Sequence, residues 1–522
     1  MFERIGKCNE SSDTLRAEGN QLYARKMFYD ALLKYNESLC AAESESENMG
    51  LAFANRSAVY FEMKLYDKCL NNIDLAKENH YPNKNLEILE KRKAKCLEMT
   101  KQLKEEFSTV LNFKLSYPPN KKLPFIVDCL ELKTNKEFGR HIVTNKTLKV
   151  GDVLVIEKPF VEIIQTSFLY TRCSNCFNDN MMDLIPCMTC NGAMFCTSQC
   201  REIAFKNFHK YECQLVNLIS SSLLTPTMRM ALRTLFVALS IFEGSIEDLE
   251  KFLHENTDCR TIFDLEDFND MKQRFLAVNS LISSSDIEVN ASIFEEIFHV
   301  VPQLKSMWTV HGQFIESFLR KQTQIGILNY HEIFSWPLKK GGFLDNDITA
   351  FKGSLAYQRG VVGTGFGSYS FTSLLNHSCA PNICRIHNNN EIILIVQRPI
   401  AKGEQLFDNY GYCFTNVSKD CRQQALLKQY RFKCNCRACV DNWPLLPSLR
   451  VLDKACLNKA KKACREVSSA CLSKKKAHEK YKDLCEVIEK NSKNYPTLEV
   501  CSLMESSFAY LEMTLKPLLQ FP

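Results

Sequence analysis

The pattern of apolar and polar positions at the start of the chain is that of paired amphipathic helices. In RAEGNQLYARKMFYDALLKYNESLCAA, small residues such as Gly19 and Ala31 fall where two antiparallel helices would touch. The segment GLAFANRSAVYFEMKLYDKCLNNIDLAKENHYP repeats the scheme 38 residues later, from Gly19 to Ser57, and ends at Pro82. Tetratricopeptide repeats have a period of about 34 residues. The pattern therefore predicts tetratricopeptide-like repeats over 11–114, with a plain helical bundle as the alternative.

The hydrophobic pattern changes after a proline-marked linker at 115–124. The apolar run VLVIEKPFVEII (153–164) predicts strands, and ICRIHNNNEIILIV predicts a hairpin whose asparagines supply the turn. Mixed apolar and polar residues over 214–344 predict a helical insert. The tail from residue 445 is lysine-rich and its pattern is helical. The fold class predicted is therefore α+β with several domains, because 522 residues exceed what one core usually holds.

Composition bounds the environment of the protein. An apolar content of 45% and a charged content of 24% are those of an ordinary globular protein, and a net charge of +6 permits acidic partners without demanding nucleic acid. The N-terminus lacks the apolar core of a signal peptide, and no apolar run reaches about 18 residues, so we expect no membrane contact. In the reducing compartment that this implies, closely spaced cysteines predict metal sites rather than disulfides.

A cysteine-rich block occupies residues 173–213. Its potential ligands come in pairs with two- or three-residue gaps: Cys173 and Cys176, Cys187 and Cys190, Cys196 and Cys200, and His209 and Cys213. Seven thiolates and one imidazole make two sets of four, the number that tetrahedral zinc requires. So few apolar residues could not fold this block by burial alone, so metal binding must supply the folding free energy. The alternative is that these residues bind no metal.

A third cysteine group is incomplete by itself. The segment KQYRFKCNCRACV contains Cys434, Cys436 and Cys439, and three thiolates need a fourth ligand. The run NHSCAPN offers Cys379, 55 residues upstream of Cys434. This closure would pin a C-terminal flap onto the NHSC segment and form one wall of a cavity, with a third zinc ion per chain. The alternative is that Cys379 is a small buried residue.

These motifs together resemble a known family. NHSCAPN, GEQLFDNYG and the C-x-C-x-x-C flap look like the C-terminal half of a SET domain with its post-SET motif, and KEFGRHIVTNKTLKVGDVLVIEKPF (136–160) resembles its opening. The spacing in 173–213 resembles the MYND zinc finger. A SET domain split by such a finger is identified as a member of the SET and MYND domain family of protein-lysine methyltransferases. The repeats point to its repeat-bearing branch, insect members included.

The resemblance implies a domain order along the chain. The segments are helical repeats (11–114), the N-terminal part of the SET domain (124–172), the MYND finger (173–213), a helical SET insert (214–344), the C-terminal part of the SET domain (345–412), a post-SET zinc flap (421–442) and a helical C-terminal region (443–522). It also implies interleaved zinc ligands in the finger. One ion would be held by Cys173, Cys176, Cys196 and Cys200, and the other by Cys187, Cys190, His209 and Cys213.

The same resemblance implies the cofactor S-adenosyl-L-methionine and its contacts. Gly139 and Arg140 would lie against its methionine part, and Asn376 and His377 would hydrogen-bond it. Phe432 would pack on the adenine with Tyr430 beside it. Tyr410 would touch the cofactor and act as the catalytic residue at the methyl-transfer channel. The chain departs from the family pattern in two places: His141 stands where a third glycine is usual, and FDNYG is a variant of the sequence around the tyrosine.

These residue types suit methyl transfer to a lysine. The amine must be neutral to attack a sulfonium methyl group, and a narrow aromatic channel favours the neutral form because it desolvates the ammonium. A tyrosine hydroxyl at Tyr410 can then orient the amine, so that much of the acceleration comes from positioning. The alternative is that Tyr410 is an aromatic residue of the core.

Two functions compete. The first is a methyltransferase of histone or other proteins that regulates gene expression, whose finger and repeats bind peptide partners and whose substrates carry a target lysine. The second is an adaptor with a catalytically weak SET core. A DNA-binding zinc protein is a third reading, against which the mild charge argues. We expect a monomer in nucleus and cytoplasm. The tail segment KKACREVSSACLSKKKAHEK is either a nuclear-import patch or a solvated helix face.

Overall fold

The coordinates are a computed structural model of the chain. It describes residues 6–102, 113–219, 221, 223–258, 260–339, 361–468, 472–516 and 521. Parts of four predicted segments lie outside these ranges: 103–112 of the helical repeats, residues 220, 222, 259 and 340–344 of the insert, 345–360 of the C-terminal SET part, and residues 469–471, 517–520 and 522 of the C-terminal region.

The N-terminal region is a stack of antiparallel helices. They are α1 (Asn9–Ala24), α2 (Phe28–Ala41), α3 (Glu47–Glu62), α4 (Tyr66–Glu78) and α5 (Leu86–Gln102). The small residues of the repeat pattern lie at close helix contacts: a Cβ on Gly19 would stand 2.5 Å from the ring of Tyr35. One on Gly50 would stand 2.4 Å from the Asn79 carbonyl oxygen. Glycine at these positions therefore lets neighbouring helices approach closely, as the sequence predicts.

The central region contains short, mostly antiparallel sheets. The strands are β1 (Leu130–Asn135), β2 (Gly139–Thr144), β3 (Val153–Glu157), β4 (Val161–Ile164), β5 (Ile185–Pro186), β6 (Met194–Phe195), β7 (His331–Ser335), β8 (Val362–Ser368), β9 (Asn376–His377), β10 (Ile383–Asn388), β11 (Glu391–Val396) and β12 (Phe407–Asp408). The sheets have the orders β1-β2, β10-β11-β3, β4-β8-β7, β5-β6 and β12-β9, and only the β12-β9 pair is parallel among these strands.

The predicted hairpin is β10–β11, which turns at Asn389 with φ of 54°. Successive side chains of a strand point to opposite faces. Accordingly, Ile392 and Leu394 belong to the core of the SET region, whereas Ile393 and Ile395 belong to a core shared with the C-terminal helices. The continuous apolar run EIILIV is therefore a strand that is buried on both faces.

The helical insert contains a strand that the sequence did not predict. Helical structure ends at Asn329, and His331–Ser335 forms β7 within the predicted helical segment 214–344. This strand pairs with β8, from His331↔Gly367 to Ser335↔Val362. This strand was not predicted because the pairing joins residues about 30 positions apart, which a local pattern does not report.

Helices fill the remaining described parts of the chain. The cysteine-rich block itself contains α6 (Ser198–Ala204), a π-helical turn (Phe205–His209) and α7 (Lys210–Glu212). The helices after it are α8 (Val216–Ile219), α9 (Pro226–Ile241), α10 (Ile246–Glu255), α11 (Met271–Asn279), α12 (Ser292–Val300) and α13 (Pro302–Asn329). The C-terminal part contains α14 (Lys419–Tyr430), α15 (Arg437–Val440), α16 (Lys454–Ser468), α17 (Lys474–Asn491) and α18 (Leu498–Leu515). The predictions of a helical N-terminus, a β-containing centre and a helical C-terminus are confirmed.

The N-terminal helices dock directly on the cysteine-rich block. The side chain of Arg56 on α3 has 0% exposure and donates to Asp183 Oδ1 at 2.8 Å and to the Leu184 carbonyl. Its Nη1 also donates to Asn36 Oδ1, and its Nε donates to Asn72 Oδ1, both at 2.8 Å. A charge is buried at such a depth only when it is paired and hydrogen-bonded. The two regions therefore form one packed unit.

The sequence predicts that no segment of the chain spans a membrane. Among the residues that the structure describes, no helix combines the length and the apolar composition needed to cross a membrane.

Substituting Arg56 tests the importance of this junction. Arg56→Ala leaves the buried Asp183 carboxylate with the more distant Lys68 Nζ, at 4.0 Å, as its cation, so we expect the free energy of unfolding to fall by up to about 3–5 kcal/mol. Urea denaturation measures the fall, and hydrogen exchange should locate it in α2–α4 and in 170–193. The control is Lys91→Ala, which removes a helix-surface ion pair whose side chains are 71% and 78% exposed and should cost below about 0.5 kcal/mol. Equal effects of both substitutions would contradict the inference.

Candidate active site and metal centres

Tyr410 lies where two separated motifs meet. The NHSC segment supplies β9 and the FDNYG segment supplies β12, and the two strands pair in parallel, Phe407↔Asn376 and Asp408↔His377. The backbone N–H of Tyr410 donates to His377 Nδ1 at 3.0 Å, and its hydroxyl donates to the Leu375 carbonyl at 2.7 Å. Both ends of the tyrosine are thereby fixed to the β9 side of the site.

Aromatic rings surround Tyr410. The ring centroids of Tyr430, His377 and Phe432 lie 4.8, 5.1 and 6.5 Å from that of Tyr410. Tyr430 ends α14, and Arg431 reverses the chain with φ of 62°, which brings Phe432 back to the cluster. Burial raises the pKa of Tyr410 well above its ordinary value and that of Tyr430 to about 12. Both hydroxyls are therefore protonated donors at neutral pH.

Two cavities meet at this tyrosine pair. The first, named here the large cavity, has a volume of about 1000 Å³. It is lined by all seven residues that the resemblance assigns to the cofactor: Gly139, Arg140, Asn376, His377, Tyr410, Tyr430 and Phe432. The second, the small cavity, has a volume of about 440 Å³. Tyr410 and Tyr430 line it as well, so the two rings lie where the cavities meet. The other residues that line both spaces are Leu328, Asn329, Ser373 and Tyr495.

The opening motif GRH forms the edge of the large cavity. Asn376 Nδ2 donates to the carbonyls of Phe138 and Arg140, at 3.0 and 3.3 Å, and so holds the start of β2 in place. Gly139 between them has φ of 61°. His141, which replaces the usual third glycine, is 6% exposed, and its Nδ1 lies 2.9 Å from the Gly139 carbonyl oxygen. Its ring therefore packs within the motif and braces the loop.

The small cavity is organised around Arg385 on β10. Its Nε lies 3.3 Å from Asp408 Oδ2, and its Nη2 donates to the Asn409 carbonyl at 3.1 Å. Its Nη1 contacts Nδ1 of His331, whose pKa burial and the neighbouring guanidinium hold well below the ordinary value. Asn409 Oδ1 accepts from the Gly411 N–H at 2.9 Å. Asp408 of the FDNYG segment is thus the ion-pair partner of Arg385, whose side chain is 24% exposed.

A second acid lines the small cavity. Glu332 on β7 has Gln165 Nε2 at 3.4 Å, which is a long contact, and no lysine or arginine nitrogen of the described residues lies within 4.0 Å of its carboxylate. Burial raises the pKa of Glu332 to about 7. The group therefore titrates near neutral pH inside a cavity that touches Tyr410.

The cysteine-rich block assembles two tetrahedral donor sets. Their ligand atoms lie within 4.8 Å of one another and belong to Cys173, Cys176, Cys196 and Cys200, and to Cys187, Cys190, His209 and Cys213. Sulfur–sulfur distances of 3.5 to 3.8 Å fit the edge of about 3.8 Å that Zn–S bonds of about 2.3 Å give in a tetrahedron. The donor chemistry and the interleaved order thus suit zinc.

The third donor set joins distant segments. Sγ of Cys379 lies 3.5 Å from that of Cys439 and 3.9 Å from that of Cys434, and Cys436 completes the set. The donor set is wholly sulfur and mostly buried, which also suits zinc. The flap that carries these residues contributes Phe432 to the large cavity, as the closure argument from the sequence expects.

Comparison with known proteins places this geometry in a family. The SET domain model matches residues 139–411, more than half of the chain. The chain belongs to the SET-domain family. The match runs from the GRH motif to the glycine after Tyr410, and so spans both halves of the site.

Relatives narrow this assignment. The chain is 22% identical to the human protein-lysine N-methyltransferase SMYD4 over 551 residues, covering 83% of this chain and 67% of that protein. It is 22% identical to SMYD4 of Gallus gallus, covering 81% and 72%. Identity to the histone-lysine N-methyltransferase ASHR1 of Arabidopsis thaliana is 23%, covering 60% and 55%. The chain is thus a SMYD4-like SET-domain protein, which confirms the repeat-bearing branch that the sequence predicts.

Several residues that line the two cavities were not predicted from the sequence. Phe138 and Trp443 line the large cavity, while Glu332 and Arg385 line the small one. Arg385 carried a usable signal, since it is a charged residue within the otherwise apolar strand ICRI. Glu332 carried none, because β7 itself was not predicted.

Metal analysis tests the three donor sets together. We expect three zinc ions per purified chain and two for Cys434→Ser, because three remaining ligands hold the third ion poorly. Cys421→Ser is the control, since Cys421 is exposed on α14 and outside the three sets, and it should keep three. Elemental mass spectrometry gives the count. Two ions in the wild type, unchanged in Cys434→Ser, would remove the third site.

The raised pKa of Glu332 predicts a pH dependence of stability. Between its ordinary value of 4.5 and about 7, the folded protein holds a proton that the unfolded chain has released, so stability falls as pH rises through this window. Glu332→Gln cannot ionise. We expect it to match the wild type at pH 4 and to be more stable at pH 8 in urea denaturation. An equal difference at both pH values would contradict the raised pKa.

Proposed function

We propose that this chain is an S-adenosylmethionine-dependent protein-lysine N-methyltransferase that acts on histone or other proteins and helps to regulate gene expression. One observation carries the proposal: a large and a small cavity meet at Tyr410 and Tyr430. A transfer reaction needs two ligands that approach one another through a restricted contact, and this arrangement provides it. The names of the SMYD4, SMYD1 and ASHR1 relatives support the same reaction.

The large cavity is the proposed cofactor site. S-adenosylmethionine, when bound there, would supply the methyl group. Gly139 and Arg140 would lie beside its methionine part, with the loop held open by the Asn376 amide. The β9 backbone at His377 would donate or accept hydrogen bonds, and the Asn376 side-chain oxygen would accept one. Phe432 and Tyr430 offer ring faces for the adenine, and stacking on such faces suits any purine.

The small cavity is the proposed lysine site. A lysine side chain would reach the meeting point of the two cavities beside the rings of Tyr410 and Tyr430, which contact one another with centroids 4.8 Å apart. Removal of water from the ammonium lowers its pKa, so the amine loses its proton to solvent more readily. The tyrosine walls then exclude water from the neutral amine. The protein thus favours the reactive form without a strong base in contact.

Tyr410 is the proposed catalytic residue because its hydroxyl is fixed and protonated. Its donation to the Leu375 carbonyl at 2.7 Å leaves the oxygen lone pairs able to accept from the substrate amine. Accepting an N–H would orient the nitrogen lone pair toward the large cavity. Alignment of this kind supplies much of the acceleration in two-ligand reactions.

The rest of the chain is assigned by the same resemblance. We propose that 173–213 is a MYND finger with two zinc ions, that 421–442 is a post-SET flap with a third, and that 11–114 are tetratricopeptide-like repeats. The SET domain would be split into 124–172 and 345–412, with β7 (His331–Ser335) added to it from the insert. Finger and repeats would recruit peptide partners, using faces other than the one that they bury between them.

The oligomeric state, the cellular location and the substrates complete the proposal. The enzyme would be monomeric, would reside in nucleus and cytoplasm, and would take proteins with an accessible lysine as substrates. The competing function is an adaptor with a weak SET core, which predicts peptide binding without measurable cofactor binding. Calorimetry with S-adenosylmethionine separates the two, because only the enzyme requires it.

Removing one hydroxyl tests the catalytic proposal. Tyr410→Phe keeps the ring that lies where the cavities meet, so zinc content and cofactor affinity should stay near those of the wild type. Turnover should fall by roughly 10²–10⁴-fold if the hydroxyl acts in the transition state. Transfer of a labelled methyl group to a panel of purified lysine-containing proteins measures it.

The control for that experiment is Tyr117→Phe. Tyr117 donates to Asp152 at 2.7 Å and lies outside both cavities, so the substitution removes a hydroxyl without touching the site. Equal turnover in Tyr410→Phe and the wild type would remove Tyr410 from the mechanism. A wild type that neither binds the cofactor nor transfers methyl groups would be the adaptor.

A further inference from the structure

Arg422 is a fully buried arginine on the helix that leads to the flap. It lies on α14, about two helical turns before Tyr430. Its side chain has 0% exposure. Its Nη2 donates to Cys439 Sγ at 3.6 Å, and its Nη1 donates to the Val417 carbonyl at 2.6 Å. The remaining Nε is buried without a partner among the described residues. The guanidinium therefore faces the third donor set.

No carboxylate balances this charge. Among the residues that the structure describes, no Asp or Glu oxygen lies within 4.0 Å of the Arg422 guanidinium. Arginine stays protonated in proteins, and a buried cation is strongly unfavourable without an anion. The groups available to serve as that anion are the sulfurs of Cys379 and Cys439. Neutral thiols would not serve, because they carry no charge.

A zinc ion with four thiolates has the complementary charge. Four thiolates around one divalent cation leave a net charge of −2, which needs compensation when the site is removed from water. The third set is more deeply buried than the other all-cysteine set: Cys379, Cys434 and Cys439 are buried, whereas in the first set Cys173 alone is. Water can screen the negative charge of the first set. The third set is largely closed to water, and the Arg422 guanidinium lies beside it.

We propose that Arg422 is the counter-ion of the third zinc centre and thereby a positioning residue for the active site. Its neighbour Gln423 holds the same flap through two hydrogen bonds, Nε2 to the Cys434 carbonyl at 2.6 Å and Oε1 from the Cys434 N–H at 3.0 Å. Charge and amide together fix the flap that carries Phe432 to the large cavity. The catalytic consequence rests on the proposed function, whereas the zinc consequence does not.

The experiment measures zinc retention in the full chain against a graded chelator. Arg422→Met keeps an apolar stem and removes the charge, and Arg422→Lys keeps the charge. We expect one of three zinc ions to leave the Met variant at about 10–100-fold lower chelator concentration than in the wild type, with the Lys variant closer to wild type. Substituting cobalt for zinc gives a thiolate absorption band that should weaken for one site only.

Two controls test whether the zinc lost from Arg422→Met comes from the third donor set. Arg437→Met changes an arginine next to Cys436 whose side chain is 84% exposed and paired with Asp441, and its zinc retention should match that of the wild type. In a Cys434→Ser background, which has already lost the third ion, Arg422→Met should cause no further loss. Additional loss there would mean that Arg422 acts elsewhere, and would overturn the proposal.

The other outcomes of this experiment also test whether the charge of Arg422 retains the third zinc ion. Wild-type retention in Arg422→Met, or equal loss in the Met and Lys variants, would overturn the proposal, since charge would then be irrelevant. If the Met variant does not fold, the comparison of Arg422→Lys with Arg422→Gln makes the same distinction. Failure of methyl transfer in the wild type would refute the proposed function and leave the zinc result standing.

Discussion

The sulfur cluster of Cys379, Cys434, Cys436 and Cys439 is the constraint on which the active site depends. It joins a segment next to Tyr410 to a flap 55 residues later. A structural zinc ion supplies on the order of 10 kcal/mol to folding, far more than one side-chain contact. A zinc ion bound here would therefore hold the flap together with the apolar residues that pack around the cluster, such as Leu426 and Phe414. Loss of that ion would loosen the cavity wall that the flap provides.

Buried and half-buried arginines lie at three long-range contacts of the described structure. Arg56 joins the N-terminal helices to the cysteine-rich block through Asp183, and Arg385 joins β10 to Asp408 at the small cavity. Arg422 faces sulfur instead of a carboxylate. A cation that is removed from water needs a fixed, oppositely charged partner close to it. The same rule thus explains one docking interface, one cavity and one metal site.

Features that depend on local sequence could be predicted, and most features that depend on distant pairing could not. The exception is Cys379, 55 residues from Cys434, which was predicted because three cysteines need a fourth ligand. Cysteine spacing, helical periodicity and the asparagine turn at Asn389 are local, and they gave the donor sets, the N-terminal helices and the β10–β11 hairpin. The strand β7 and the charge pair of Arg56 with Asp183 join residues about 30 and 127 positions apart. An arginine within a helix indicates a solvated face unless its partner is known, so Arg56 gave no signal.

The ionisation of Tyr410 limits what its hydroxyl can do. Burial and the nearby Asp408 carboxyl raise its pKa well above the ordinary value, so a phenolate base is not accessible at neutral pH. The hydroxyl donates to Leu375 and can accept one further hydrogen bond. An amine that arrives protonated has no lone pair to direct, so it must lose its proton before it meets Tyr410. In the proposed mechanism, desolvation in the small cavity would therefore prepare the substrate amine, and Tyr410 would afterwards set the direction of its lone pair.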